Sequence, residues 1–177
     1  MSLSQFRLIR LTQDHFIKPF NCDDDDLNDF LLNDSKNYQD QLLAVTYILE
    51  SDIDTVAFFS LLNDKISYDE TDSKSKWKRI CKIIPYNKRG LKSLPAMKIG
   101  RLAVNSNYKN QNIGTSILDY LKKLFIDNNR TGCRFITVDA YKDSLKFYEK
   151  NGFKYLTNLD INNDTRLMYF DLNQLLF

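Results

Sequence analysis

Ile99-Gly-Arg-Leu-Ala-Val104 and, after a short polar gap, Tyr108-Lys-Asn-Gln-Asn-Ile-Gly-Thr115 set the architecture of this chain. The first stretch is β-rich and apolar from Met97 onward, which predicts a strand over residues 97–104. Residues 105–112 are polar and predict a loop. From Gly114 the apolar residues Ile117, Leu118, Leu121, Leu124 and Phe125 recur at helical spacing. A strand that runs through a short loop into a helix aims backbone N–H groups at one spot, and the helix dipole adds partial positive charge there. Such a place suits a diphosphate. Gly114 permits close approach of a ligand to the backbone, and Lys109 can offset phosphate charge from the side.

Working outward, Phe6, Leu8, Ile9 and Leu11 predict a first strand. A first helix follows, with Asp23 as N-cap, acids 24–26 at its positive end, and Leu27, Phe30 and Leu31 at helical spacing before Asn37. The four acids lack the glycine turn and distal glutamate of a calcium loop. Residues 42–49 and 56–62 are near-continuous apolar runs, the pattern of strands covered on both faces. Asp52 to Asp54 joins them as a hairpin, and the second run extends through Ile66 and Tyr68. Residues 69–94 are polar and basic, with Trp77, Ile80, Cys81 and Ile84 spaced for one amphipathic helix, and read as an insertion. Downstream, residues 135–138 predict a strand, 144–151 a short helix closed by Gly152, and 153–159 and 167–172 two final strands. Strands first and then alternating strand and helix describe an α/β domain, a mixed sheet flanked by helices. At 177 residues one domain, 1–177, is expected.

Composition narrows the chemistry. With 43% hydrophobic and 27% charged residues the chain is globular in type. It carries no apolar run near the length of a membrane span and no secretion signal, so a cytoplasmic location without membrane contact is expected. Cys22, Cys81 and Cys133 form no Cys-x-x-Cys pair and are read as reduced thiols. His15 is the sole histidine, which argues against histidine-based triads and most metal sites, so no metal is assigned. The net charge of +2 hides a basic block containing Lys74, Lys76, Lys78, Arg79, Lys82, Lys88, Arg89 and Lys92 with no acid from residue 73 to 92.

Three motifs in register, Arg101-Leu-Ala-Val104, Gln111-Asn-Ile-Gly114 and Phe147-Tyr-Glu-Lys-Asn-Gly-Phe153, resemble the GNAT superfamily of N-acetyltransferases. Phe20-Asn-Cys22 with Leu27-Asn-Asp-Phe-Leu31 also resembles the subgroup containing toxins that acetylate aminoacyl-tRNA. The resemblance spans nearly the whole chain except residues 69–94. It implies a mostly antiparallel mixed sheet with a splayed parallel strand pair that binds acetyl-CoA as cosubstrate. On this sequence Leu102, Ala103 and Val104 would meet the pantetheine arm. Lys109, Asn110, Gln111, Asn112, Ile113, Gly114 and Thr115 would hold the diphosphate, with Ser144 and Phe147 completing the cofactor contacts. Lys109 stands at the first position of the family loop and Asn112 where its first glycine is usual. Asparagine is the non-glycine residue best able to take φ > 0, so the backbone nest is compatible with it.

Acetyl transfer to an amine needs a neutral amine, a stabilised oxyanion and a proton for the departing thiolate. Tyr148 matches the family position for the last role, and a phenol stays protonated at neutral pH. A backbone N–H of the strand near residues 102–104 can polarise the thioester carbonyl. No general base declares itself: Lys98, Gly100 and Arg101 occupy the strand where relatives often place a carboxylate, leaving water, Glu149 or an insertion residue. An α-amine titrates near 8 and a lysine near 10.4, so a site without a base favours an α-amine such as that of aminoacyl-tRNA. The basic block suits tRNA phosphates or a solvated face. Three readings stay open: an enzyme for a small-molecule or protein amine, a tRNA-directed toxin with a ribbon-helix-helix antitoxin, and a non-catalytic acetyl-CoA-binding protein. A homodimer is also open, since residues 172–177 form an apolar end.

Overall fold

The computed structural model describes residues 3–82, 90–127 and 131–176. The strands are β1 (Arg7–Arg10), β2 (Val45–Glu50), β3 (Thr55–Ser67), β4 (Ser93–Val104), β5 (Phe135–Tyr141), β6 (Lys154–Tyr155) and β7 (Thr165–Asp171). They form one mixed sheet in the order β1-β2-β3-β4-β5-β7-β6, with β4 and β5 parallel. The helices are α1 (Asp25–Asp29), α2 (Ser35–Asp40), α3 (Lys74–Cys81), α4 (Ile113–Asp127) and α5 (Leu145–Lys150). None of those described is long and apolar enough to cross a membrane. Backbone contacts divide the chain into two units, Met1–Leu62 with Ile99–Leu124, and Asn63–Lys98 with Phe125–Phe177.

In the first unit β1, β2 and β3 are antiparallel, with Arg7 opposite Glu50 and Ile48 opposite Phe58. Apolar alternation sends Ile48 and Phe58 to one face, where they pack with Leu11, Phe30, Leu31 and Ala103. On the other face Tyr47 stacks on Phe59, and Tyr120 of α4 leans against Phe59. Between α1 and α2 lies a π-helical turn, Phe30–Asp34, in which the Ser35 N–H reaches the Phe30 carbonyl. π-turns inside helices recur at functional sites, and this one carries Phe30.

In the second unit α3 lays Trp77 and Ile80 onto Ile66, Leu94, Ala96, Phe135 and Leu156. Its N-cap is Ser73, whose side chain accepts from the Lys76 N–H, so the expected insertion helix forms and its apolar stripe docks it. Ile84, Lys88 and Arg89 lie outside the described residues, as does Phe177. A second aromatic cluster joins Tyr148 to Phe153 and Phe153 to Phe170.

Several expectations need correction. The N-cap of α1 is Asp24, not Asp23: the Asp24 carboxylate accepts from the Leu27 N–H at 3.0 Å, while Asp23 adopts φ 64°. In a run of four acids each can cap, and the position is set by where the chain turns in. Helical structure continues to Asp40 because the π-turn lets the chain pass Asn37. Leu42, with φ 59° and mostly exposed, lies in the turn before β2, so that strand starts at Val45. Tyr68 belongs to a short 3-10 turn whose Ser67 and Glu70 form a capping box. β4 begins at Ser93 rather than Met97; Pro95 obscures an alternation in which Leu94 and Ala96 are both buried. β6 is only two residues long.

Candidate functional site

Two local constructions carry the residues singled out in the sequence, one in each unit. The first is the end of β4, its loop and the start of α4. Along β4, Arg101 and Ala103 share the face turned to Phe30, and Ala103 is buried there, whereas Leu102 and Val104 are half-buried on the opposite face. The loop is pinned at its root. Asn105, itself buried, donates its backbone N–H to the Val56 carbonyl at 2.9 Å and its Nδ2 to the Thr55 carbonyl at 3.0 Å, and the Ser106 N–H reaches the Asn21 carbonyl at 2.8 Å. Tyr108 closes a 3-10 turn (Ser106–Tyr108), and its hydroxyl donates to Asp54 Oδ2 at 3.2 Å.

Beyond this anchor the backbone changes hand twice. Asn110 has φ 63° and Asn112 φ 59°, and Gln111 between them does not share that hand. Alternation of this kind turns successive N–H groups toward one concavity, the geometry of an anion-binding nest. The Asn112 carbonyl then accepts from the Ser116 N–H at 3.0 Å, so Asn112 is the residue from which α4 starts. Ile113 is buried, Gly114 and Thr115 half-buried, and Lys109, Asn110 and Asn112 exposed. The tolerance expected of Asn112 is therefore used by the structure, and Asn110 applies the same property where no reading of the sequence had placed it. Replacing Asn112 by Val, whose branched side chain opposes φ > 0 at a cost of roughly 1–2 kcal/mol, is expected to weaken coenzyme A binding by about tenfold; Asn112→Gly should keep it. Calorimetric titration of both variants with coenzyme A checks this.

Lys109 is not idle. Its Nζ lies 2.7 Å from Asp23 Oδ2, both side chains being about half exposed at 46% and 59%. An anion arriving in the nest competes with Asp23 for the lysine. Exposed pairs contribute roughly 0.2–1 kcal/mol, so Asp23→Asn is expected to lower the Kd for coenzyme A by about two- to fivefold. The same titration measures it, and a weaker Kd would show instead that Asp23 positions the lysine.

The second construction is α5. Ser144 precedes it without a side-chain cap, and Phe147 is half-buried with its ring edge on Tyr148 at 5.0 Å between centroids. The helix ends in a Schellman motif: the Phe153 N–H bonds the Tyr148 carbonyl at 3.1 Å, and the Gly152 N–H bonds that of Glu149 at 2.9 Å. Gly152 has φ 85°, and a Cβ there would meet Phe170 at 3.0 Å, which explains the glycine on both counts. Tyr148 is thereby held at its backbone and packed between Phe147 and Phe153, with 6% of its surface exposed. Burial pushes its phenol well above the ordinary value.

Lys98, on the strand where relatives often place a carboxylate, is paired with Asp139, and Glu149, weighed as a base, lies beside the Tyr155 hydroxyl. A carboxylate absent from the sequence reading is Glu50, with a side chain 1% exposed at the irregular Leu49/Glu50 step of β2. His15 Nε2 lies 2.8 Å from it, Arg7 3.2 Å and Lys18 3.5 Å. Burial opposes its ionisation, but the hydrogen bonds from His15 and Arg7 and the nearby charges of His15 and Lys18 prevail and hold the carboxyl below its ordinary 4.5. His15 is thus absorbed in a structural cluster. Cys22, Cys81 and Cys133 are thiols, none in a disulfide.

No curated protein sequence matches the chain. Among solved structures, a Tyr-to-Phe mutant of the AtaT toxin aligns with a TM-score of 0.75 and 21% identity, covering 99% of this chain and 96% of that one. A Tyr-to-Phe mutant of KacT aligns at 0.73 and 19% identity, covering 98% and 99%. AtaT complexed with acetyl-methionyl-tRNAfMet aligns at 0.73 and 20% identity, covering 96% of each. At such identities the likeness is one of fold. The model of the acetyltransferase (GNAT) domain matches residues 45–155, from β2 through the strand-loop-helix unit to α5 and β6. This chain belongs to the GNAT acetyltransferase family.

Proposed function

We propose that this N-acetyltransferase moves the acetyl group of acetyl-CoA onto the α-amine of an aminoacyl-tRNA, acting in the cytoplasm as the toxin of a toxin–antitoxin pair. The observation that carries the cofactor half is the nest at residues 110–112, which with the start of α4 and Lys109 suits a diphosphate even though asparagine stands where glycine is usual. For the acceptor, support comes from α3, where Lys74, Lys78 and Arg79, with Lys82 just beyond, are exposed and form no ion pair among the described residues, a surface suited to a polyphosphate chain. The AtaT structure named for its acetyl-methionyl-tRNAfMet shares the fold over nearly the whole chain.

The chemistry assigned to the residues is spare. Backbone groups of Leu102, Ala103 and Val104 hold the pantetheine arm, Lys109 to Thr115 the diphosphate, and Ser144 and Phe147 border the cofactor. The neutral α-amine attacks the thioester carbonyl. As the carbon–sulfur bond breaks, Tyr148 gives its proton to the leaving sulfur, the nitrogen releases its extra proton to water, and a proton from water restores the phenol, so that amide, free thiol and neutral Tyr148 result. A phenol whose pKa is raised by its apolar surroundings stays protonated throughout the physiological range, and no acceptor among the described residues takes its hydrogen. With a pKa near 8, the α-amine has a larger neutral share at physiological pH than a lysine amine near 10.4.

The test is release of free thiol from acetyl-CoA in the presence of charged tRNA, uncharged tRNA, polyamines, amino acids and peptides at two salt concentrations. Turnover with charged tRNA alone, falling steeply with salt, is expected. Turnover with a polyamine or peptide but not with charged tRNA overturns the acceptor, and binding without thiol release with any amine overturns catalysis. Growth arrest on expression, relieved by a ribbon-helix-helix protein encoded beside the gene, tests the toxin role.

A further inference from the structure

We propose that Arg101 is an acceptor-side clamp that grips a phosphate of the nucleotide whose ester carries the reacting amine; this deepens, and rests on, the aminoacyl-tRNA reading. The starting observation is a cation without an anion. Among the described residues three arginines are withdrawn from full exposure. Arg134 holds Asp171 at 2.9 Å and Arg166 holds Asp160 at 2.6 Å, but Arg101 holds no carboxylate. Its Nε is shut off from solvent and has no hydrogen-bond partner. On the same strand Lys98 is matched by Asp139, so the missing partner is particular to Arg101.

Desolvating a guanidinium without an anion is costly, and native proteins seldom leave such a donor unmet unless a ligand meets it. Arg101 is nevertheless held in place. Its guanidinium carbon sits 4.0 Å from the centroid of Phe30, which is 2% exposed and opens the π-turn. The ring holds the guanidinium by a cation–π contact, and its terminal N–H donors form a fork matched to two oxygens of an oxyanion. An amino acid esterified to a nucleotide has lost its carboxylate, so phosphate is the anion nearest its amine.

The test uses a non-hydrolysable amide analogue of 3′-aminoacyl-adenosine, with and without a 5′-phosphate, titrated calorimetrically into the full chain in the presence of coenzyme A. A hydrogen-bonded charge pair corresponds to about tenfold or more, so the phosphate should tighten binding to the native protein by that factor. Arg101→Met should erase the difference while coenzyme A affinity stays within about twofold, and Arg101→Lys, a point charge without the fork, should keep part of it. Melting temperatures accompany each variant; if Arg101→Met is unfolded, the partial loss in a folded Arg101→Lys decides. An equal phosphate gain in native and variant proteins overturns the proposal, as does a free amino acid whose binding, rather than the phosphate's, depends on Arg101. Thiol release by the native protein with charged tRNA tests the underlying reading separately, since the binding cycle needs no turnover.

Discussion

Tyr148→Phe is expected to lower kcat by about 10²- to 10⁴-fold while leaving coenzyme A affinity and the melting temperature close to native. The variant removes one oxygen and keeps the ring, so the contacts with Phe147 and Phe153 survive and the Schellman closure is untouched. What it removes is the proton for the leaving thiolate. Because burial raises the phenol above its ordinary value, the native pH–rate profile should rise with deprotonation of the acceptor amine near pH 8 and show no descending limb from Tyr148 up to about pH 10. Stability carries the complementary sign. The unfolded phenol loses its proton near pH 10 and the native one only above that, so the contribution of Tyr148 is complete below pH 10 and declines as pH rises beyond it. Tyr148→Phe should flatten this alkaline loss. A variant retaining more than about a tenth of native kcat would remove the residue from the chemistry and leave it as packing.

The second large effect concerns stability. Glu50→Ala should destabilise the protein by about 3 kcal/mol, because it leaves Lys18 and His15, both largely withdrawn from solvent, without their carboxylate; breaking a buried pair from one side has this scale. The more exposed Arg7, with 71% of its side chain accessible, contributes little of that. Since Glu50 is held below its ordinary 4.5, its contribution is complete above that pH and fades as acid protonates the native carboxyl, so native and variant unfolding curves should draw together as the pH falls below 4.5. Urea unfolding across pH 3 to 8 checks both magnitude and sign. A native-like midpoint for Glu50→Ala at pH 7 would show that the cluster is solvated rather than structural.

Much of this arrangement was legible because it is local. A β-rich run, a polar loop and a 3.6-residue apolar period declare strand, loop and helix over residues 97–125, since both periodicities are properties of the backbone. Asn112 was readable for the same reason: its tolerance of φ > 0 travels with the residue. Gly152 was too, since a helix ending on glycine before an aromatic is a local signal whose reason, a Cβ meeting Phe170, the fold then supplies.

The rest depends on contacts between residues far apart in the chain. Nothing in Asp23-Asp-Asp-Asp26 tells which acid caps the helix and which meets Lys109, 86 residues away. Glu50 ends an apolar run, and its partners His15 and Arg7 lie 35 and 43 residues earlier. The contact of Arg101 with Phe30 needs both the π-turn and β4 brought together. The sequence alone therefore determined the order of elements, the family motifs and the residues able to do the chemistry, because these follow from backbone periodicity and intrinsic residue preference. Only the tertiary structure decided which charges are matched, which acid caps and which half-buried arginine has no carboxylate among the described residues, because the energy of a charge depends on its burial and its neighbours, and folding alone sets those.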